Sequence, residues 1–382
     1  MKIVIAPDSF KESLSAPEAA DQIEAGFRDI FPDLECLKRP MADGGEGTVA
    51  ALVAATGGKI VSASVTGPLG EKVDSFYGVT GNGETAIIEI AAACGLAQVP
   101  PELRNPLKTS SFGVGELIVL ALDAGLRNFI IGIGGSATND AGAGMLQALG
   151  VKLLDAHGQA IGFGGAALAQ LALIDAGQLD PRLPQCQIQV ACDVDNPLCG
   201  TKGASAIFGP QKGATEEMVA SLDQALAHFA RLIQRDMQLD IADIPGAGAA
   251  GGMGAALLAF LNAQLRSGID IVITSTGLVE AIKSADLVIT GEGRIDGQSA
   301  HGKTPFGVAR VSARYKVPVI GIAGALAGDA PGMYQYGISA LFTIVTGPCS
   351  LETALTFAAD NLRKTARNIA AVIKIGTGMG ID

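Results

Sequence analysis

Lys2-Ile3-Val4-Ile5-Ala6-Pro7-Asp8-Ser9-Phe10-Lys11 is the stretch whose reading decides the fold. Ile3 to Ala6 is an apolar run of strand length, and a carboxylate, a hydroxyl and a base follow as it ends. Ser15 then supplies an N-cap for a helix over Ala16 to Asp29, with Pro17 in its first turn. Glu35 to Pro40 repeats the strand, and Thr48 to Thr56 repeats the helix, closed by Gly57-Gly58. Strand and helix alternating in this way predict a parallel sheet covered by helices.

From residue 59 the rhythm changes. Ile60 to Thr66 and Thr85 to Ile90 are short alternating runs, punctuated by Gly67-Pro68 and Gly81-Asn82-Gly83, and read as β-hairpins. Helices are expected at 112–124, 140–149 and 215–236, with strands at 129–133 and 187–192. The βα rhythm returns with Ile271-Val272-Ile273, Leu287-Val288-Ile289, Val319 to Ile322 and Leu341 to Val345, before a helix near 352–373. The simplest organisation is a doubly wound α/β domain of residues 1–58 plus 268–382, interrupted by a mixed α/β domain of residues 59–267. Ligands of such sheets sit beyond the carboxyl ends of the strands, where Asp8, Asp43 and Glu292 fall, so the site is expected in the cleft between the domains.

Composition narrows the function. The chain has 382 residues, and its 51 glycines are about twice the usual share, placed at loops and helix starts rather than in a repeat. A formal charge of −11 without a basic run repels nucleic acid and anionic membranes, and with no Trp and 4% aromatic residues there is no stacking platform. The amino terminus is too short for a signal h-region, and Ile244 to Leu261, the longest run without a charged or amide residue, is Gly-rich and no convincing membrane span. The six cysteines match no zinc spacing and read as reduced thiols of a cytoplasmic protein. His157 and His228 read as incidental, and self-association into a homo-oligomer stays open.

Five glycine-rich loops carry the chemistry: Asp8 to Lys11, Asp43 to Gly47, Gly132 to Asp140, Asp193 to Gly200 and Gly291 to Lys303. Glycine lets backbone N–H groups approach phosphate oxygens, and the neighbouring acids suit a metal ion or a general base, which is what phosphoryl transfer asks of a protein. Asp43-Gly44-Gly45-Glu46-Gly47 fits a magnesium ion held by one or two carboxylates plus phosphates. The run from Phe129 to Asp140 delivers a Gly-Gly turn, two hydroxyls and an Asn-Asp cap, suited to a phosphate at a helix start. Cys192-Asp193-Val194-Asp195-Asn196-Pro197 is either an Asx turn before proline or a base beside a ligand.

Two further motifs are literal but poorly placed. Gly297 to Thr304 satisfies the Walker A pattern, yet Gly291 to Asp296 separate it from its strand, so a phosphate- or carboxylate-contacting loop is the better reading. Gly246 to Gly251 spells G-x-G-x-x-G after a poor strand, which favours a Gly-rich helix packed closely on a neighbour over a dinucleotide site. A nucleotide-dependent dehydrogenase would rest on that motif alone, and a passive two-domain binding protein for an anion would avoid so many loop acids.

Ala6 to Ser15, Ala42 to Thr48, Gly132 to Gly142, Cys192 to Leu198 and Thr290 to Ser299, in this order, resemble the bacterial type-1 glycerate kinase family, the glycerate 2-kinase group, across essentially the whole chain. The resemblance implies a Rossmann- or flavodoxin-like domain interrupted by a second α/β domain. It further implies phosphorylation of (R)-glycerate by ATP with Mg²⁺, giving 2-phosphoglycerate and ADP in galactarate and glucarate breakdown. The resemblance does not itself assign residue roles; for such a reaction Asp193 is the expected base for the glycerate hydroxyl, with Asp296 second and Lys11 neutralising the transferred phosphoryl group. Asp8, Ser9, Arg294, His301 and Lys303 are expected to bind glycerate, and Asp43 and Glu46 to hold magnesium. Gly132, Gly134, Gly135, Ser136, Thr138, Asn139, Gly291, Glu292 and Gly293 are expected to cradle the nucleotide.

Overall fold

The computed structural model describes residues 1–296 and 303–378. The chain divides into two compact units, one of Met1–Asp43, Ala50–Gly58 and Gly268–Asp382, the other of Gly44–Val49 and Lys59–Ser267. Both are α/β, as the alternating pattern predicts.

In the first unit, a five-stranded sheet runs Glu35–Lys38, Lys2–Pro7, Leu287–Ile295, Val319–Leu326, Ala340–Thr343 from edge to edge, every pair parallel. Counted along the chain this is the order 2-1-3-4-5, whose switch point lies between Lys2–Pro7 and Leu287–Ile295. The helix Ala16–Arg28 starts as read: Ser15 and Glu18 form a capping box, and Pro17 sits in the first turn. Its apolar side buries Ile23 and Phe27 in a core with Ile3, Ile5, Leu362 and Ile369. Gly26 lets the helix Ala358–Gly376 come close, since a Cβ there would stand 2.4 Å from the Arg363 carbonyl oxygen.

The second unit has a six-stranded sheet ordered Gln264–Arg266, Gln187–Ala191, Asn128–Gly132, Thr85–Glu89, Lys72–Val79, Lys59–Thr66. The last three form the expected antiparallel hairpins, and the first four pair in parallel. Helices Phe112–Asp123 and Glu216–Met237 lie where the periodicity puts them.

Four expectations need correction. Ile271-Val272-Ile273 is not a strand but part of the helix Gly268–Ser275. Ile269 and Ile273, four residues apart, both reach the position of Gly307, so packing overrides the β preference of a branched run. Gly291 to Arg294 belong to a strand rather than a loop, because pairing with Val319–Leu326 continues to Ile295. The helix expected at 140–149 is only Ala143–Ala148, entered through left-handed Ala141 and Gly142. The closing helix is two, Leu351–Thr356 and Ala358–Gly376, with Ser350 capping the shorter one. No helix among the described residues is long and apolar enough to cross a membrane.

Candidate functional site

Chemistry-bearing side chains gather at the carboxyl ends of the parallel strands in each unit. In the first unit, Asp8 follows Lys2–Pro7 at the switch point, and its N–H donates to the Gly291 carbonyl at 2.8 Å. The carboxylate is 8% exposed, accepts from Ser9 N–H at 2.6 Å, and accepts from the Thr304 hydroxyl at 2.5 Å. Burial, and then the negative charge of Asp43, push it up to about 6. Phe10 anchors the following turn in the core while Lys11 stays exposed. Gly293 lets that turn lie on the third strand: a Cβ would stand 3.2 Å from the Lys11 nitrogen. Gly291 is accounted for by the sheet itself, since a Cβ would meet the Ile322 carbonyl oxygen at 2.0 Å. Glu292, between them, is 9% exposed.

Asp296 lies between two of the expected anion-binding cations. Arg294 Nε is 3.5 Å and Lys303 Nζ 3.6 Å from its carboxylate oxygens. Lys303 is the N-cap of the helix Thr304–Tyr315, and the hydroxyl of Thr304, the last residue of the Walker-like pattern, is given to Asp8. His301 and the rest of that pattern, Gly297 to Gly302, lie outside the described residues.

In the second unit, two glycine-rich loops meet. A Cβ on Gly132 would stand 2.7 Å from the Gly44 carbonyl oxygen, and one on Gly134 would be 3.3 Å from the Gly45 Cα. Main chain packed this closely on main chain explains why both segments are so rich in glycine. Glu89, at the end of its strand, accepts from Val49 N–H at 2.6 Å and also from Gly47 N–H. Burial pushes its carboxyl up, and the charge of Glu46 adds to that. Glu46, expected to share a metal with Asp43, is thus set against Glu89, whereas Asp43 is set against Asp8. No group of three or more His, Cys, Asp or Glu side chains among the described residues is placed to hold a metal ion.

The Gly132–Asp140 segment is pinned from several sides. Asp140, fully buried, accepts from Ser111 N–H and Oγ–H and from the N–H groups of Gly142 and Gly144. Asn139 donates to Ser205 Oγ at 2.9 Å, and Gly135 turns with φ +72°. Lys212, which the sequence reading missed, donates to Ser136 Oγ at 2.9 Å and to the Thr138 carbonyl at 2.6 Å. Its setting Phe208-Gly209-Pro210-Gln211-Lys212-Gly213 looks like an exposed turn, so no local signal marks it.

Asp193 and Asp195 follow the neighbouring strand Gln187–Ala191 and are exposed. Asn196 donates its amide to the Lys202 carbonyl at 2.8 Å, which closes the turn that follows the two acids. The G-x-G-x-x-G segment is packing, as the close-packed helix reading expects. Cβ atoms on Gly248 and Gly251 would stand 2.1 Å from the carbonyl oxygens of Pro197 and Thr138, with Ala250 to Gly252 left-handed.

Comparison with known proteins agrees along the full length. The model of the glycerate kinase family matches residues 3–374. A glycerate 2-kinase of Escherichia coli (strain K12) is 60% identical over 98% of this chain and 99% of its own. A glycerate kinase of Bacillus subtilis (strain 168) is 58% identical over 99% of both. A crystal structure assigned as glycerate kinase 2 from Salmonella typhimurium LT2 superposes with a TM-score of 0.92 at 59% identity, covering 99% of this chain and 100% of that one. With its motifs, its sheets and its full-length relatives in agreement, the chain belongs to the glycerate kinase family.

Proposed function

We propose that this chain transfers the terminal phosphoryl group of ATP to the 2-hydroxyl of (R)-glycerate, giving 2-phosphoglycerate and ADP, and that it does so in the cytoplasm. The observation that carries the proposal is full-length similarity to a named glycerate 2-kinase, 60% identical over 376 residues. The reaction asks for little covalent chemistry from the protein and much positioning and charge. The glycine-rich segment Gly132 to Asn139 supplies backbone N–H groups and the Ser136 hydroxyl to the nucleotide's phosphates. Lys11, Arg294 and Lys303 supply positive charge to the glycerate carboxylate and the moving phosphoryl group.

Asp193 accepts the proton of the glycerate hydroxyl as its oxygen bonds to phosphorus and the bond from phosphorus to the ADP oxygen breaks. A magnesium ion, when bound, neutralises phosphate charge, and a carboxylate whose proton affinity is raised by burial and by a neighbouring acid is suited to a divalent cation. Asp43 with Asp8 fits that description, since Asp8 is raised by burial and by Asp43. Glu46, facing Glu89, is the weaker choice.

The test is ADP release with (R)-glycerate, with and without Mg²⁺, and phosphorus NMR of the product. Glycerate- and Mg²⁺-dependent ADP release with a 2-phosphoglycerate signal is expected. The 3-phosphate isomer would refute the regiochemistry, and silence with glycerate would refute the substrate. Asp193→Asn should lower kcat by about 10²–10⁴ while nucleotide affinity holds. Near-normal turnover would remove Asp193 from the role.

A further inference from the structure

Lys212 is the one Lys or Arg among the described residues that is buried, 2% exposed. Its two hydrogen bonds go to neutral oxygens, Ser136 Oγ and the Thr138 carbonyl, and no ion pair with a carboxylate accompanies them among the described residues. A buried ammonium without a contacting carboxylate is costly, and an arriving anion would offset that cost. Neither titratable group facing it bonds to the ammonium, and Asp140 acts on it only as a charge through space. Asp140 spends its oxygens on Ser111, Gly142 and Gly144, and burial pushes the Cys94 thiol up to about 12, which leaves it neutral.

The hydrogen-bond direction decides what Ser136 can do. An ammonium has only donors, so Ser136 Oγ must accept from Lys212. Its own O–H is thereby released from that contact, and among the described residues it donates to no other protein oxygen. A hydroxyl that accepts from a cation is also a stronger donor. Ser136 is 6% exposed, so a ligand reaching it would be largely dehydrated at that point.

We propose that Lys212 is a positioning residue for phosphate recognition: it holds Ser136 as a hydrogen-bond donor toward a phosphate oxygen of the nucleotide and supplies the charge behind that bond. The inference rests on reading the Gly132–Asn139 segment as the phosphate cradle. It carries a pH signature. Burial lowers the Lys212 ammonium to about 8, so in mild alkali it becomes an amine, whose lone pair can accept a hydrogen bond from the Ser136 hydroxyl and turn that hydroxyl back toward itself. Phosphate binding favours the ammonium, so above that pH binding takes up a proton and weakens as pH rises.

The experiment is calorimetric titration of the full chain with ATP and Mg²⁺, without glycerate, from pH 7 to 9.5 in two buffers of unlike ionisation enthalpy. Wild type, Ser136→Ala, Lys212→Met and the double variant are compared. Wild-type affinity should fall by up to about tenfold per pH unit above about pH 8, with proton uptake. Each single variant should bind about tenfold or more weakly at pH 7 and lose most of the alkaline fall, and the double should be little worse than either. A flat wild-type profile without proton uptake overturns the proposal even if Lys212→Met fails to fold. Ser136→Ala with unchanged affinity overturns the relay and the cradle together. Weakened binding by Ser136→Ala beside a flat wild-type profile, or additive single effects, overturns the relay and leaves the cradle standing.

Discussion

Asp8 and Asp140 each lie beyond a strand flanked by parallel neighbours, one in each unit, and both are almost without contact with water. Burial raises the proton affinity of both. They differ in what surrounds the charge. Asp140 accepts four hydrogen bonds that tie the starts of two helices, Phe112–Asp123 and Ala143–Ala148, to one carboxylate. Asp8 accepts from Ser9 and Thr304 and faces a like charge on Asp43. A carboxylate saturated by main-chain and hydroxyl donors is a structural fastener. One held short of donors and beside another acid is stored for something positive, and the binding of a cation relieves it.

The sharpest way to break this contrast is removal of each side chain. Asp140→Ala should cost at least about 3 kcal/mol, because it strands several buried donors, and denaturant unfolding with a probe in the second unit will show it. A loss near zero would erase the distinction. Asp8→Asn should do the reverse. Folded Asp8 holds its proton more tightly than the unfolded chain does. Its contribution to stability is therefore full below pH about 4 and lost as pH rises through about 6. Above that the buried charge costs on the order of 3 kcal/mol, and the amide should recover about 1–3 kcal/mol at pH 8 and nothing near pH 4. Thermal unfolding against pH measures it, and turnover should meanwhile drop at least about 100-fold. A variant that is destabilised at pH 8 would make Asp8 another fastener.

A smaller test concerns the backbone that meets the Asp140 segment. Ala141 N–H donates to the Gly251 carbonyl at 3.0 Å, and Ala250, half-buried just before it, is held at φ +53°. Ala250→Gly should add about 0.5–1 kcal/mol by removing that strain. A loss would mean that its methyl group packs more than the backbone suffers.

What could be read in advance followed from local chemistry. Ser15 and Pro17 mark a helix start within three residues, and the hairpins near residues 60–90 announce themselves by alternation and glycine turns. What could not be read depends on partners far along the chain. Ile271-Val272-Ile273 has strand-like composition but is buried along a helix by Gly307. Asp140 looks like an N-cap and does accept from Gly142 and Gly144, but its tie to Ser111, 29 residues away, has no local mark. Lys212 takes its meaning from Ser136, 76 residues earlier, and nothing in its own turn records that.

The order of strands also bears on synthesis. Lys2–Pro7 pairs with Glu35–Lys38 early, but its other neighbour, Leu287–Ile295, leaves the ribosome some 250 residues later. At ordinary translation rates that is roughly 12–50 s during which one edge of the opening ribbon stays unpaired. The run from Lys59 to Ser267 is contiguous and carries its own six-stranded sheet, so it can finish folding while the opening segment waits. Nascent chains arrested shortly after Ser267 should therefore contain a protease-resistant middle and a cleavable beginning, and the beginning should harden only once Ile295 and Leu326 have emerged.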